Sequence, residues 1–339
     1  MTTGLAERLL AGEPRAIARA ISLIEDEHPA GADLVRAIFG RTGHAYLIGV
    51  TGPPGAGKST LVDRLITVLK KPQSSQSSQS TETNNLSAVS ASSPVFSSSS
   101  IGVIAVDPTS PFTGGAVLGD RLRMQAHASD EGVFIRSMAT RGHLGGLARA
   151  TGDAALVLDA AGKDVVIIET VGVGQDEVDI IRTADVSIVT LVPGTGDEVQ
   201  ALKAGIMEIA DIFVVNKADR EGAERLVSAV ETNLGLHTYA SGEWRPPVLR
   251  TVATTGQGTQ ELVEAIAQFR AHSLGAQASR RRTRSEYRLR ELVSQRFMDH
   301  LERQVLTAGE LGAIVDRIAA RDVDPYSAAN DLLKRAMGR

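Results

Sequence analysis

GVTGPPGAGKSTLVDRL, residues 49–65, joins an apolar run to a helical segment through a loop built from glycine and proline. Its core, Gly52-x-x-x-x-Gly57-Lys58-Ser59, has the spacing of a phosphate-binding loop. Gly52, Gly55 and Gly57 let the backbone turn its N–H groups inward around phosphate oxygens, Pro54 and Ala56 lie in the same nucleotide-binding loop, and the following helix points its positive end at the same place. Lys58 reaches the β and γ phosphates and acts in catalysis, Ser59 offers a hydroxyl to Mg²⁺, and Thr60 completes the nucleotide-binding stretch. A glycine-rich turn with no ligand does not require the Lys-Ser pair.

Outward from the loop, short β-branched runs alternate with helical segments. They are AYLIGV (45–50), IGVIAV (101–106), DVVIIE (164–169), VSIVTLV (186–192), DIFVVN (211–216) and PVLRTV (247–252). Continuous apolar runs mean strands buried on both faces, so the spacing predicts a doubly wound, mostly parallel α/β sheet flanked by helices. In such a sheet ligands gather at the carboxyl edge, which directs attention to the polar residues just after each run.

With 339 residues and 42% hydrophobic content the chain can bury one large core with helical appendages. A formal charge of −4 supplies no global pull toward nucleic acid or membrane. The absence of cysteine excludes a disulfide framework, thiolate metal sites and cysteine catalysis. The N-terminal stretch lacks the apolar core of a signal peptide, and the chain reads as cytoplasmic.

Three segments are expected. Residues 1–40 carry apolar residues at helical spacing and form an N-terminal helical extension; 41–272 form the nucleotide-binding domain; 273–339 form a C-terminal helical arm. Within the domain, 71–100 is rich in Ser and Gln, nearly uncharged and aperiodic, and is expected to be a disordered surface-loop insertion. The arm's stripe, Leu289, Leu292, Val293, Phe297, Met298 and Leu301 among others, must pack on the sheet domain or on a second copy. The basic run SRRRTRSEYRLR reads as the solvated face of that helix, because it lacks the interleaved aromatics of single-strand binders.

The remaining motifs stand after the runs. Asp107 is followed by a Gly- and Pro-punctuated stretch that reads as a switch, with Asp120 at its far end; each acid is a candidate metal ligand and each could equally cap a helix. Glu169-Thr-Val-Gly172 is an acid on the metal side followed by a glycine whose N–H can sense the γ-phosphate. Val173 stands where Ras-like enzymes keep the glutamine that orients water, so intrinsic hydrolysis is expected to be slow, with Gln175 as the substitute catalytic candidate. Asn216-Lys217-Ala218-Asp219 reads the base: a carboxylate at Asp219 accepts both N1–H and the exocyclic amine of guanine, whereas adenine would leave it unpaired, so GTP is favoured over ATP. Ala253 and Thr254, in VATTGQG (252–258), supply backbone contacts to the guanine oxygen.

VDPTSPFTGGAVLGDRLRM, RSMATRGHLGGLARAT, IIETVGVGQDEVDI and VPGTGDEVQALKAGIMEIADIFVVNKAD together resemble the MeaB/ArgK family of P-loop GTPases over about residues 5–272. The resemblance implies a P-loop NTPase fold and a homodimeric, magnesium-dependent GTPase that chaperones an adenosylcobalamin-dependent acyl-CoA mutase, usually methylmalonyl-CoA mutase, gating cofactor delivery and protecting the enzyme. Carried over by position, Lys58 and Ser59 serve phosphate and metal, Asp107, Asp120 and Glu169 are the metal-side acids, Asn216 and Asp219 read guanine, Lys203 belongs to a further switch that meets the partner, and the C-terminal helices form the dimerisation arm. The Ser/Gln insertion departs from the family but interrupts no motif. A related nickel- and cobalt-delivery group would need a Cys-x-Cys-Cys motif, which a chain without cysteine lacks. The alternative attached to the ArgK name is a nucleotide-dependent kinase or ATPase of an amino-acid transport system; it needs a phosphoacceptor site and adenine preference. The resemblance implies that the cofactor sits in the partner and that this chain gates its transfer.

Overall fold

The computed structural model describes residues 2–71, 99–107, 125–127, 129–139, 146–170, 183–194 and 206–338. Three helices, α1 (Thr2–Leu10), α2 (Pro14–Glu25) and α3 (Pro29–Ile38), precede β1 (Tyr46–Thr51) and α4 (Lys58–Lys70). Then come β2 (Ile101–Asp107), β3 (Val133–Ala139), α5 (Gly146–Ala160), β4 (Val165–Glu169), β5 (Val186–Leu191), α6 (Ile206–Ile209), β6 (Ile212–Asn216), α7 (Ala223–Gly235), β7 (Val248–Thr251) and α8 (Thr259–Ser273). The sheet has seven strands in the order β3-β2-β4-β1-β5-β6-β7, and each neighbouring pair is parallel.

Six of these strands coincide with the continuous apolar runs. The seventh, β3, is an edge strand whose sequence VFIRSMA carries Arg136 and Ser137 and is mostly half-buried, so it shows no continuous run. Arg136 binds Ser22 Oγ at 3.0 Å and pairs with Glu25, both on α2, which closes the edge with a charged side chain.

The period of two splits each central strand between two cores. Ile48 and Val50, Val165 and Ile167, Val186 and Ile188, and Ile212 and Val214 face one side, where α4 and α8 cover them with Leu61, Leu65, Leu262 and Phe269. On the other side α7 packs Leu226, Val227 and Val230 onto Phe213 and Val215. The remaining part of that face, Ile104, Val106, Met138, Val166 and Ile168, is covered by α5 together with Leu9, Ile17, Ile21, Leu34 and Ile38 of the first three helices. Residues 1–40, expected as an extension, therefore supply a layer of the core, and the first compact unit runs from Met1 to Leu274. Asp159, at the end of α5, fixes where β1 begins: its carboxylate accepts the amides of Gly43, His44 and Ala45 at 2.5, 3.2 and 3.0 Å.

Of the stretch 71–100 expected to be disordered, Lys71, Ser99 and Ser100 are described. Ser99 is buried and the Ser100 amide donates to Asp164 at 2.7 Å, so the chain is already anchored before β2 starts. The rest of that stretch lies outside the described residues.

The second compact unit, Gly275–Arg339, holds α9 (Gln277–His300), a π-helical turn (Leu301–Val305), α10 (Glu310–Ala319) and α11 (Pro325–Ala336). Asp324 caps α11 by accepting the amides of Tyr326 and Ser327, and Pro325 fits the first helical position. Glu310 accepts the Thr307 amide and hydroxyl, each at 2.9 Å, and pairs with Arg335 at 2.5 Å. The Arg335 guanidinium, followed by the Thr307 donors, holds the Glu310 carboxyl down at about 2 against an ordinary 4.5. Because the folded pKa is depressed, this contribution is complete above 4.5 and is lost as pH falls toward about 2. Hydrogen exchange on the full chain should show amides of α10 and α11 losing protection across that window, and Glu310→Gln should flatten the dependence; an identical acid profile in the variant would refute the role.

Candidate functional site

Parallel register brings the polar strand ends to one edge. Val50 lies opposite Glu169, Ala105 opposite the same Glu169, Asp107 opposite Ala139, and Asn216 opposite Thr251. β1 sits at the centre with β4 and β5 on either side, so the loop it feeds stands amid the others at the carboxyl edge.

The loop's glycines are required by geometry at two points. Gly52 has φ +142°, and a Cβ there would lie 1.9 Å from the Thr190 carbonyl oxygen of β5. Gly57 has φ +85°, and a Cβ would lie 2.5 Å from Asn216 Nδ2. The loop is thus pressed against two neighbouring strand ends. Lys58, buried, curls back over it and donates from Nζ to the carbonyls of Gly52 at 2.8 Å and Pro53 at 3.2 Å. That places an ammonium group at the mouth of a helix N-terminus, where backbone amides and the helix dipole also favour an anion. Pro54 and Gly55 are exposed at the tip, Ala56 is buried, and Thr60 is half-buried on the first turn of α4.

Ser59 and Glu169 meet. Ser59 Oγ donates to Glu169 Oε1 at 2.6 Å, and both side chains are buried. The next residue, Thr170, donates through its hydroxyl to Thr51 Oγ1 at 2.9 Å, locking β4 to β1 beside the loop. A hydroxyl and a carboxylate side by side are hard oxygen donors suited to Mg²⁺, which is commonly held by one or two protein oxygens plus substrate phosphates. Among the described residues no group of three His, Cys, Asp or Glu side chains converges on a further metal position. Asp107 ends β2 at this edge; its side chain, and all of Asp120, Gly172, Val173, Gln175 and Lys203, lie outside the described residues.

The base end of the site is built around Asn216, which is almost completely buried. Its Nδ2 donates to the Ala56 carbonyl at 2.7 Å, while its Oδ1 accepts from Thr251 Oγ1 and from the Ala253 amide, each at 3.1 Å. One side chain therefore ties the phosphate loop to both β7 and the 252–258 turn; the structure sets Asn216 among protein groups, as a residue that positions the others. Lys217, at φ +56°, reaches back and donates from Nζ to the Gly55 carbonyl at 2.7 Å. The Ala218 amide donates to the Thr251 carbonyl at 3.0 Å, and Asp219 projects beyond it, exposed. Ala253 is buried and Thr254 exposed, at the same corner. Two members of this network were not evident from motif reading: Thr251, and Arg64 of α4, whose guanidinium holds the carbonyls of Ala253 and Thr254. Arg64 stands inside the opening stretch, yet its partners lie 189 and 190 residues away.

Asn216→Ala would strand these three partners in the interior. At about 1 kcal/mol for each lost bond the chain should be about 3 kcal/mol less stable, which for a unit of this size lowers Tm by roughly 6–12 °C. A thermal melt within 2 °C or so of wild type would show that Asn216 is not the tie.

No described helix is long and apolar enough to cross a membrane. Residues 17–75 and 79–305 match the profile of the family described as methylmalonyl Co-A mutase-associated GTPase MeaB. A Pyrococcus abyssi protein whose name assigns it provisionally to the GTPases is 47% identical over 342 residues, spanning 100% of this chain and 98% of that one. GTPase ArgK of Escherichia coli is 35% identical over 87% of this chain and 84% of its own length. Among solved structures, one titled a LAO/AO transport system kinase superposes with a TM-score of 0.69 at 26% identity, covering 98% of this chain and 96% of that one. With the match running through the phosphate loop, the base corner and on into α9, the chain belongs to the MeaB family of P-loop GTPases.

Proposed function

We propose that this protein binds and hydrolyses GTP with Mg²⁺ and uses the cycle to chaperone an adenosylcobalamin-dependent acyl-CoA mutase, most simply methylmalonyl-CoA mutase, gating cofactor loading and protecting the enzyme. The observation that carries the reading is the Asn216 tie, which holds Lys58 and Ser59 at one end and Asp219 at the other on a single rigid frame. Lys58 binds and neutralises the phosphate tail, and the Lys58 contacts to Gly52 and Pro53 are those a phosphate would replace. Ser59 and Glu169 hold the metal side, with Asp107 and Asp120 as further acids; bound there, Mg²⁺ would supply charge neutralisation for the departing phosphate. Asp219 selects guanine over adenine, which counts against the ATP-dependent kinase reading.

Val173, at the place of a water-orienting glutamine, supports slow intrinsic hydrolysis completed by the partner, with Gln175 and Lys203 as the residues through which activation acts. Leu289, Val293 and Met298 on α9 are exposed and supply an apolar surface for a homodimer. The test is GTP turnover of the full chain with and without the cognate mutase, run beside sedimentation equilibrium. Stimulation of about tenfold or more by a dimeric species is expected, given that supplying a missing catalytic group in trans is worth 10³–10⁵ in related enzymes. An unchanged rate would remove the partner role, and a monomer at micromolar concentration would remove the dimer.

A further inference from the structure

Arg64 projects from α4 six residues after Lys58. Its planar fork donates from Nε to the Ala253 carbonyl at 3.0 Å and from Nη2 to the Thr254 carbonyl at 2.9 Å. Both belong to the turn closed by the bridge between Val252 and Gln257. Inside that turn the amides are nearly all engaged: Ala253 donates to Asn216, Thr255 and Gly256 both donate to the Val252 carbonyl, and Val252 and Gln257 are bonded as well. Thr254 is the exception, and its amide has no partner among the described residues.

The direction of that amide follows from peptide geometry. No cis bond occurs among the described residues, and in a trans peptide the C=O and the following N–H point to opposite sides. Holding the Ala253 carbonyl on Arg64 therefore turns the Thr254 N–H away from α4 and out of the turn. A charged donor on the carbonyl also polarises the shared peptide and strengthens its N–H as a donor.

The geometry points to Arg64 as the residue that orients and polarises the Thr254 amide to donate to the 6-oxygen of guanine, a specificity determinant that touches no nucleotide itself. This rests on the GTPase reading above. It also couples the two ends of the site, because the helix that carries Lys58 and Ser59 at its start carries Arg64 further along.

The test compares magnesium–GTP with magnesium–6-thio-GTP, whose sulfur is a poor acceptor while the N1–H and 2-amine that meet Asp219 are unchanged. Calorimetry of wild type, Arg64→Lys and Arg64→Ala gives the affinities. Wild type should prefer GTP by about tenfold, the worth of one well-made hydrogen bond. Arg64→Ala should lose that factor for GTP while 6-thio-GTP stays within about twofold, so the preference disappears. Arg64→Lys, a single point donor in place of a fork, should fall between them. Equal losses for both nucleotides would mean general damage to the turn and would overturn the assignment, as would a wild type indifferent to the substitution. A wild type that binds no magnesium–GTP would overturn the GTPase reading itself.

Discussion

Lys58→Ala should lower GTP turnover by about 10²–10³-fold or more, the loss seen when one preorganised donor is taken from a site where charge develops. The side chain is buried and donates to the loop carbonyls at 2.8 and 3.2 Å, so alanine removes a buried ammonium group from a nest of main-chain amides. Two carbonyls lose a donor, at about 1 kcal/mol each, which leaves the fold intact. Lys58→Arg should fail nearly as badly, since a planar fork does not fit where a compact point charge sits against the backbone. Phosphate release and magnesium-dependent binding heat, measured beside a thermal melt, separate these effects. A folded Lys58→Ala that turns over GTP at the wild-type rate would show that the loop is not a phosphate site.

Asp219→Asn should cut selectivity for GTP by about 10²–10⁴-fold, because sites that read a polar edge by hydrogen bonding reject a mismatch by such factors. The carboxylate stands exposed at the end of a short turn whose start is pinned by Lys217 to Gly55 and by Ala218 to Thr251. Its position is therefore set by the frame and its reach is open. An amide in its place accepts one proton and donates another, which suits xanthine, whose 2-oxygen replaces the amine. Competition between GTP and xanthosine triphosphate should invert in the variant, and a variant that keeps full GTP preference would take base reading away from Asp219.

The phosphate loop and the Asn-Lys-x-Asp corner are legible because each is one continuous stretch whose chemistry depends on adjacent residues. The five interior strands are legible for a related reason: burial on both faces leaves an unbroken apolar signal, and β7, although an edge, keeps a short run of its own. β3 carries no such signal because Arg136 and Ser137 interrupt its apolar residues, and Arg136 answers to Glu25 on α2 rather than to its own neighbours. The motif assigns Asn216 to the base; only the fold shows its amide on Ala56, 160 residues earlier. Arg64 and Thr251 carry no local mark at all, since what makes them matter is a carbonyl and an amide supplied by distant turns.

The first three helices bear on how this chain could be shortened. The family match begins at residue 17, and the phosphate loop only at Gly52, so trimming to residue 41 looks harmless on paper. Such a fragment would lose Leu9, Ile17, Ile21, Leu34 and Ile38 as the lid over Ile104, Met138 and Val166, and it would strip Arg136 of both its companions. An apolar plateau beside an unguarded strand is a template for fibre growth.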